Sequence, residues 1–161
     1  MLEASVYVGR RKRLREQVGS GVVLWLGHAL QPRTYPANTF RFRQHGHFLY
    51  FAGLNEPDLA VLSWMDRDRD VLFAAPVTMD DIVWSGPLPT PDERAARAGI
   101  KESAAPAELA KTVAELKAKG VPIHYLTPFQ ADAKLRLAAL LGVAPEALAA
   151  GESLPLKRAV V

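Results

Sequence analysis

The chain has 161 residues, 49% of them hydrophobic and 23% charged, with a net charge of +3 and no cysteine. A chain this long buries roughly 70% of its unfolded surface, so a single well-packed domain over 1–161 is expected and a disordered or collagen-like chain is excluded. The missing cysteines exclude disulfides, thiol nucleophiles, thiolate metal sites and iron–sulfur clusters together.

No apolar run approaches the roughly 20 residues a membrane-spanning helix needs, and the N-terminal charges follow the apolar stretch, the reverse of a secretory signal. No membrane partner and a cytoplasmic location are therefore expected. The charge is uneven: residues 1–50 hold eight Lys/Arg against two Asp/Glu, and residues 51–161 hold twelve against fifteen.

Ser5 to Val18 predicts a helix with Val6, Leu14 and Val18 on its apolar side, stopped at Gly19-Ser20-Gly21. Its basic run, Arg10, Arg11, Lys12, Arg13 and Arg15, reads as a solvated face. The run has no interleaved aromatic residue to stack a base, so nucleic acid is not expected as a partner. Gly21 to Gly27 is an unbroken apolar run bounded by glycines, the pattern of a buried central strand. His28 to Asn38 is a polar loop. Phe40 to Phe51 is dense in aromatic and basic residues, and its period leaves strand and short helix both open. Leu59 to Met65 and Val71 to Ala75 are strands joined by Asp66 to Asp70 as a hairpin.

Beyond residue 90 helices dominate. Pro91 opens a helix that ends at Gly99, Pro106 to Lys119 carries Leu109, Val113 and Leu116 at helical spacing, and Asp132 to Leu141 closes at Gly142. Val121 to Leu126 lies between the last two as a strand, and Pro145 to Ala149 adds a turn. Strands alternating with helices predict an α/β fold, a mixed sheet with helices on its faces. The final LPLKRAVV reads as an uncapped apolar tail, as of a chain that continues.

The chemistry-bearing motifs are sparse. There is no phosphate-binding GxxxxGK loop, no GxGxxG, no GxSxG and no HExxH. His45-Gly46-His47 offers two imidazoles without a third ligand. Asp66, Asp68 and Asp70 imitate half of a calcium loop, but Val71 and Val77 stand where Gly and Glu are required. His124, Trp25 and Trp64 lie in apolar strands and read as core. Trp84 differs: between Asp80-Asp81 and a Gly/Pro loop, a large aromatic is hard to bury and available to a ligand. No catalytic residue and no metal ligand is assigned.

The segment from Arg33 to Trp64 resembles the N-terminal domain of Xaa-Pro aminopeptidases and prolidases. The matching residues are Asn38, Thr39, Phe40, Phe42 and Arg43, followed by Phe48, Tyr50, Phe51, Gly53, Leu54, Asn55, Glu56 and Pro57. Ile82 to Gly86 is similar to the acidic-I-W-x-G segment that follows, the opening RRKRLREQ helix also fits, and the tail looks like the start of a connection to a catalytic domain.

The resemblance implies a creatinase-like N-terminal domain of a "pita-bread" metallopeptidase that cleaves before proline. Two divalent metals, commonly manganese, would be held by a C-terminal domain absent from this chain. This domain would be inert alone, with Trp84 as a substrate-binding wall. Its partners would be its own catalytic domain, a second subunit and proline-containing peptides. The resemblance leaves aminopeptidase and dipeptidase both open. The alternative is a free-standing protein- or nucleic-acid-binding module that keeps the fold, as in some histone chaperones.

Overall fold

A computed structural model describes residues 2–160. Five strands form one mixed sheet: β1 (Val22–Leu26), β2 (Ala60–Trp64), β3 (Arg69–Phe73), β4 (Glu102–Ala104) and β5 (Ile123–His124), in the order β4-β3-β2-β1-β5. Strands β1, β2 and β3 are antiparallel neighbours, with Leu24 opposite Leu62 and Leu62 opposite Val71. Strands β4 and β5 add to the edges in parallel with β3 and β1. The expected α/β architecture holds, with helices on both faces.

Alternation along the strands sorts the core into two layers. Val23 and Trp25 of β1, Val61 of β2 and Leu72 of β3 point to one face. That face is covered by α1 (Ala4–Val18), α2 (Gly46–Ala52), α4 (Pro91–Arg97) and α7 (Leu154–Val160). Val22, Leu24, Leu62, Trp64 and Phe73 point to the other, under α5 (Pro106–Ala118) and α6 (Ala131–Leu141). Helix α3 (Met79–Ser85) belongs to neither layer. Each fully buried large side chain stabilises the fold by about 1.5–3 kcal/mol, so these two layers are the main source of stability.

The stripe that α1 buries is Tyr7, Arg11 and Leu14, while Val6 faces solvent. The basic run is therefore not a solvated face, although Lys12 and Arg13 are exposed. Arg11 is 0% exposed. Its Nε donates to Asp70 Oδ2 at 2.8 Å, and its Nη atoms donate to Phe51 O at 2.6 Å and Ala98 O at 2.9 Å. It thus meets the carbonyls at the ends of two helices, where a cation is favoured. Arg15 donates to Asp70 Oδ1 at 2.7 Å and to Trp64 O at 2.9 Å. Burial alone would raise the Asp70 carboxyl, but Arg11 and Arg15 outweigh it and hold the group below the usual carboxylate range.

The ambiguous Phe40–Phe51 block is extended up to His45 and helical afterwards. Phe48 and Phe51 are core, and Phe51 stacks on Trp25 with centroids 4.6 Å apart. Tyr50 is not core: it is 48% exposed, with the Arg10 guanidinium 4.0 Å above its ring. Arg43 is exposed. Arg94 binds Glu56 at 2.8 Å. Gly53 closes α2 at φ 71°, where a Cβ would lie 2.1 Å from the Tyr7 ring, so a side chain is refused twice over.

Three further differences follow from tertiary pairing. Strand β4 has only three residues and no alternating pattern of its own. The segment Val121–Leu126 pairs with β1 only at Ile123 and His124. The tail from Leu154 is a helix packed on α1, with Leu156 fully buried.

Candidate functional site

Helix α3 stands out because none of its seven residues is buried. Its start is well specified: the Asp81 N–H donates to Thr78 Oγ1 at 3.2 Å, and the Thr78 N–H donates to Asp81 Oδ2 at 2.9 Å, a reciprocal capping box. These bonds to Thr78 also pull the Asp81 carboxyl below its ordinary value. The helix ends at Gly86 with φ 76°. A short helix of this kind persists through its caps rather than through packing.

Its apolar side chains are all left exposed. Trp84 is 88% exposed, with Val83 at 74% and Met79 at 73% beside it, and Ile82 and Leu88 are also exposed. Trp84 therefore sits on a capped helix rather than in the expected Gly/Pro loop, and it does not pack into its own domain. Trp25 and Trp64 are buried in opposite core layers. Contiguous exposed apolar side chains of this size mark surfaces that meet something else. The arrangement can stack on a flat or ring-bearing partner and exclude water.

The remaining candidates fall into place around it. Among the described residues no group of three His, Cys, Asp or Glu side chains could hold a metal ion. His45 and His47 do come together, with ring centroids 5.2 Å apart, and the structure adds His28 at 5.3 Å from His45, a neighbour that sequence spacing could not show. His124 has both ring nitrogens engaged, Nδ1 with Ser153 Oγ at 2.7 Å and Nε2 with Ser20 O at 2.8 Å, as a satisfied structural histidine should. Asp66 and Asp68 lie at the hairpin turn and Asp70 is committed to Arg11 and Arg15.

A second surface was missed in the sequence. Residues 28–45 leave β1 and return to α2 as an excursion, closed by the Arg33 N–H to Asn38 O at 2.7 Å and the Phe40 N–H to Gln31 O at 2.9 Å. It exposes Arg33, Arg41 and Arg43 together with Tyr35 and Phe40. The available signal was the density of aromatic and basic residues from Phe40 to Arg43.

Comparison with known proteins places these features in a family context. Residues 7–124 match the family model for "Aminopeptidase P, N-terminal domain". A probable Xaa-Pro aminopeptidase of Metarhizium robertsii is 32% identical over 75 residues, 47% of this chain and 16% of the relative. One of Emericella nidulans is 40% identical over 45 residues, 28% of this chain and 10% of the relative. Among solved structures, zinc-substituted Escherichia coli aminopeptidase P in complex with product superposes with a TM-score of 0.73 at 21% identity. The match covers 88% of this chain and 33% of that one. The same enzyme with the inhibitor Pro-Leu gives a TM-score of 0.72 over 86% of this chain and 32% of that one. The likeness to these structures is a likeness of fold, and this chain spans about a third of their length.

Proposed function

The chain belongs to the family of aminopeptidase P N-terminal domains, and on that premise we propose that it serves as the non-catalytic domain of a proline-specific metallopeptidase. In this reading hydrolysis belongs to a separate C-terminal domain carrying two divalent metals, manganese by the family resemblance. Among the described residues no group of side chains fits such a metal site, so no step of the hydrolysis is assigned to them. The domain's part is to complete the walls of the substrate entrance and to contribute contacts to the catalytic domain and a second subunit. The absence of cysteine is compatible with a cytoplasmic setting, the location this reading takes.

The observation that carries the proposal is Trp84, 88% exposed on a capped helix that buries none of its residues in its own domain. An indole held out in this way can stack on a proline ring or an apolar side chain of a peptide while shedding water from both. Of the two classes considered, the free-standing binding module drew its support from the basic run at Arg10–Arg15. Arg11 and Arg15 are bonded internally, which leaves Lys12 and Arg13 as the exposed part of that run and weakens this second reading.

The test uses the longer protein that joins this domain to its catalytic partner. Trp84→Ala is expected to raise KM or alter the preference for peptide length, with metal content unchanged. Identical kinetics of parent and variant on dipeptides, tripeptides and longer substrates would remove Trp84 from the site. The chain alone, supplied with manganese and Xaa-Pro peptides, is expected to show no turnover. Chelator-sensitive turnover that tracks the purified chain would overturn the non-catalytic assignment.

A further inference from the structure

The excursion over residues 28–45 stands on two feet, His28 at the exit of β1 and His45 at the entry to α2, and both meet at Gln44. This glutamine is 2% exposed and fully used. Its Oε1 accepts from the His28 N–H at 2.6 Å and the His45 N–H at 2.9 Å, its Nε2 donates to Glu56 O at 2.8 Å, and its own N–H donates to Asn55 Oδ1 at 3.0 Å.

The imidazoles around this hub are wired as neutral rings. His45 is the N-cap of α2, and its Nδ1 accepts from the His47 N–H at 3.3 Å, which puts its own proton on Nε2. His28 Nδ1 lies 3.3 Å from Arg43 O, a carbonyl that can only accept, so this nitrogen carries the proton and Nε2 is left bare. That Nε2 is buried and, among the described residues, has no partner. The His45 ring lies 5.3 Å from that of His28 and 5.2 Å from that of His47.

We propose that His45 and His47, packed beside the His28 ring, form an acid-sensitive latch that holds both feet of the 28–45 excursion while neutral and releases them when protonated. Adding a proton to His45 turns the cap acceptor into a donor facing the His47 N–H, so the cap bond is lost. It also places a cation at the N-terminus of a helix and about 5 Å from two further imidazoles, each unfavourable. No carboxylate bears on His45, and the acidic neighbour at the other foot is Asp58, whose N–H donates to His28 O at 3.0 Å. Glu56 on the adjoining turn is committed to Arg94, and the recess that His45 and His47 share is completed by Trp25, Leu126, Pro128 and Leu137. Arg43 contributes its carbonyl and adds positive charge.

Burial, then His47 and His28, depress His45 from 6.5 to about 4, and burial depresses His47 as well. The sign is that of groups the fold holds neutral. For His45 that stabilisation is complete above 6.5 and is withdrawn as the pH falls toward about 4, and His47 acts in the same direction. What the latch controls is the presentation of Arg33, Arg41, Arg43, Tyr35 and Phe40, all exposed on the excursion. The inference stands apart from the peptidase reading, since none of these histidines touches α3.

Amide exchange, corrected for the intrinsic pH dependence of exchange, tests it on the chain as described. Between about pH 7.5 and about pH 5, protection over residues 28–49 is expected to fall more than tenfold relative to α5 and α6. His45→Asn keeps a capping side chain that does not titrate, and is expected to abolish that selective loss while matching the parent near neutral pH. Equal protection of the excursion at both pH values, or an undiminished acid response in His45→Asn, would overturn the latch. Should that variant fail to fold, nitrogen-resolved NMR of the parent decides. His45 remaining neutral with its proton on Nε2 down to about pH 5 supports the proposal, and ordinary titration near 6.5 overturns it.

Discussion

Helices α2 and α3 each run for seven residues, start from a side-chain cap and carry large apolar side chains, yet α2 buries Phe48, Phe51 and Ala52 while α3 buries nothing. The difference lies in what holds their ends. Helix α2 is pinned at its start by Gln44 and near its end by Arg11, which donates to Phe51 O at 2.6 Å. Those two anchors lay its aromatic face on β1, where Phe51 meets Trp25. Helix α3 joins β3 to α4 with neither anchor, and its capping box orders the backbone without directing a side chain inward. Apolar content in a short helix measures how much could be buried. Anchoring to the rest of the fold decides whether it is.

The sharpest way to break the contrast is at Phe48. Phe48→Ala is expected to cost about 3–5 kcal/mol in a reversible melt, because a fully buried ring is replaced by a cavity. A loss below about 1 kcal/mol would mean that α2 is not the core helix described.

The anchor itself is tested at Asp70. Asp70→Ala leaves the Arg11 guanidinium buried without its carboxylate, at an expected cost of about 3 kcal/mol in denaturant unfolding. The parent carries the same contribution in its pH dependence. The folded Asp70 carboxyl lies below its ordinary value of 3.8, so its stabilisation is present above that value and lost as the pH falls through the folded one. Acid unfolding of Asp70→Ala is therefore expected to have a shallower pH dependence in that range. An identical profile for parent and variant would show that the pair contributes nothing differential.

Thr78→Ala removes the cap of a helix that touches no core layer. Exchange protection within α3 is expected to fall by the equivalent of about 1 kcal/mol while the global melting temperature holds. A drop in global stability of similar size would show that α3 is packed after all. Trp84→Ala is the smallest effect on folding, within about 0.5 kcal/mol, since the ring leaves little protein contact behind. The pairing of a near-silent Trp84→Ala with a severe Phe48→Ala is the signature of a helix built for an external partner.

Much of this architecture was legible in the sequence because it rests on local rules. The glycine-bounded run gave β1, the charged turn gave the β2–β3 hairpin, and Pro91, Pro106, Gly120 and Gly142 bracketed helices whose bounds moved by only a few residues. The setting of Trp84 among aspartates, glycine and proline singled it out as a candidate, and its 88% exposure came only from the structure. The histidine cluster was half visible: His45 and His47 share two-residue spacing, whereas His28 joins them only through the return of the chain after the excursion.

What the sequence by itself determined is the order and kind of the principal elements, together with the family likeness carried by Asn38 to Pro57. Propensity, capping and alternation act over a few residues and need no distant partner. Only the tertiary structure decided the fate of each charge and ring. Arg11 and Arg15 became internal ties rather than a solvated face because Asp70 and the carbonyls of Phe51, Ala98 and Trp64 converge on them from four other parts of the chain. Glu102 to Ala104 became a strand because β3 offered a free parallel edge. Tyr50 went to the surface and Phe51 to the core because a helix sends consecutive side chains about 100° apart, and β1 lies on one side only. A charge is buried when partners are assembled around it, and that assembly exists only once the chain has folded.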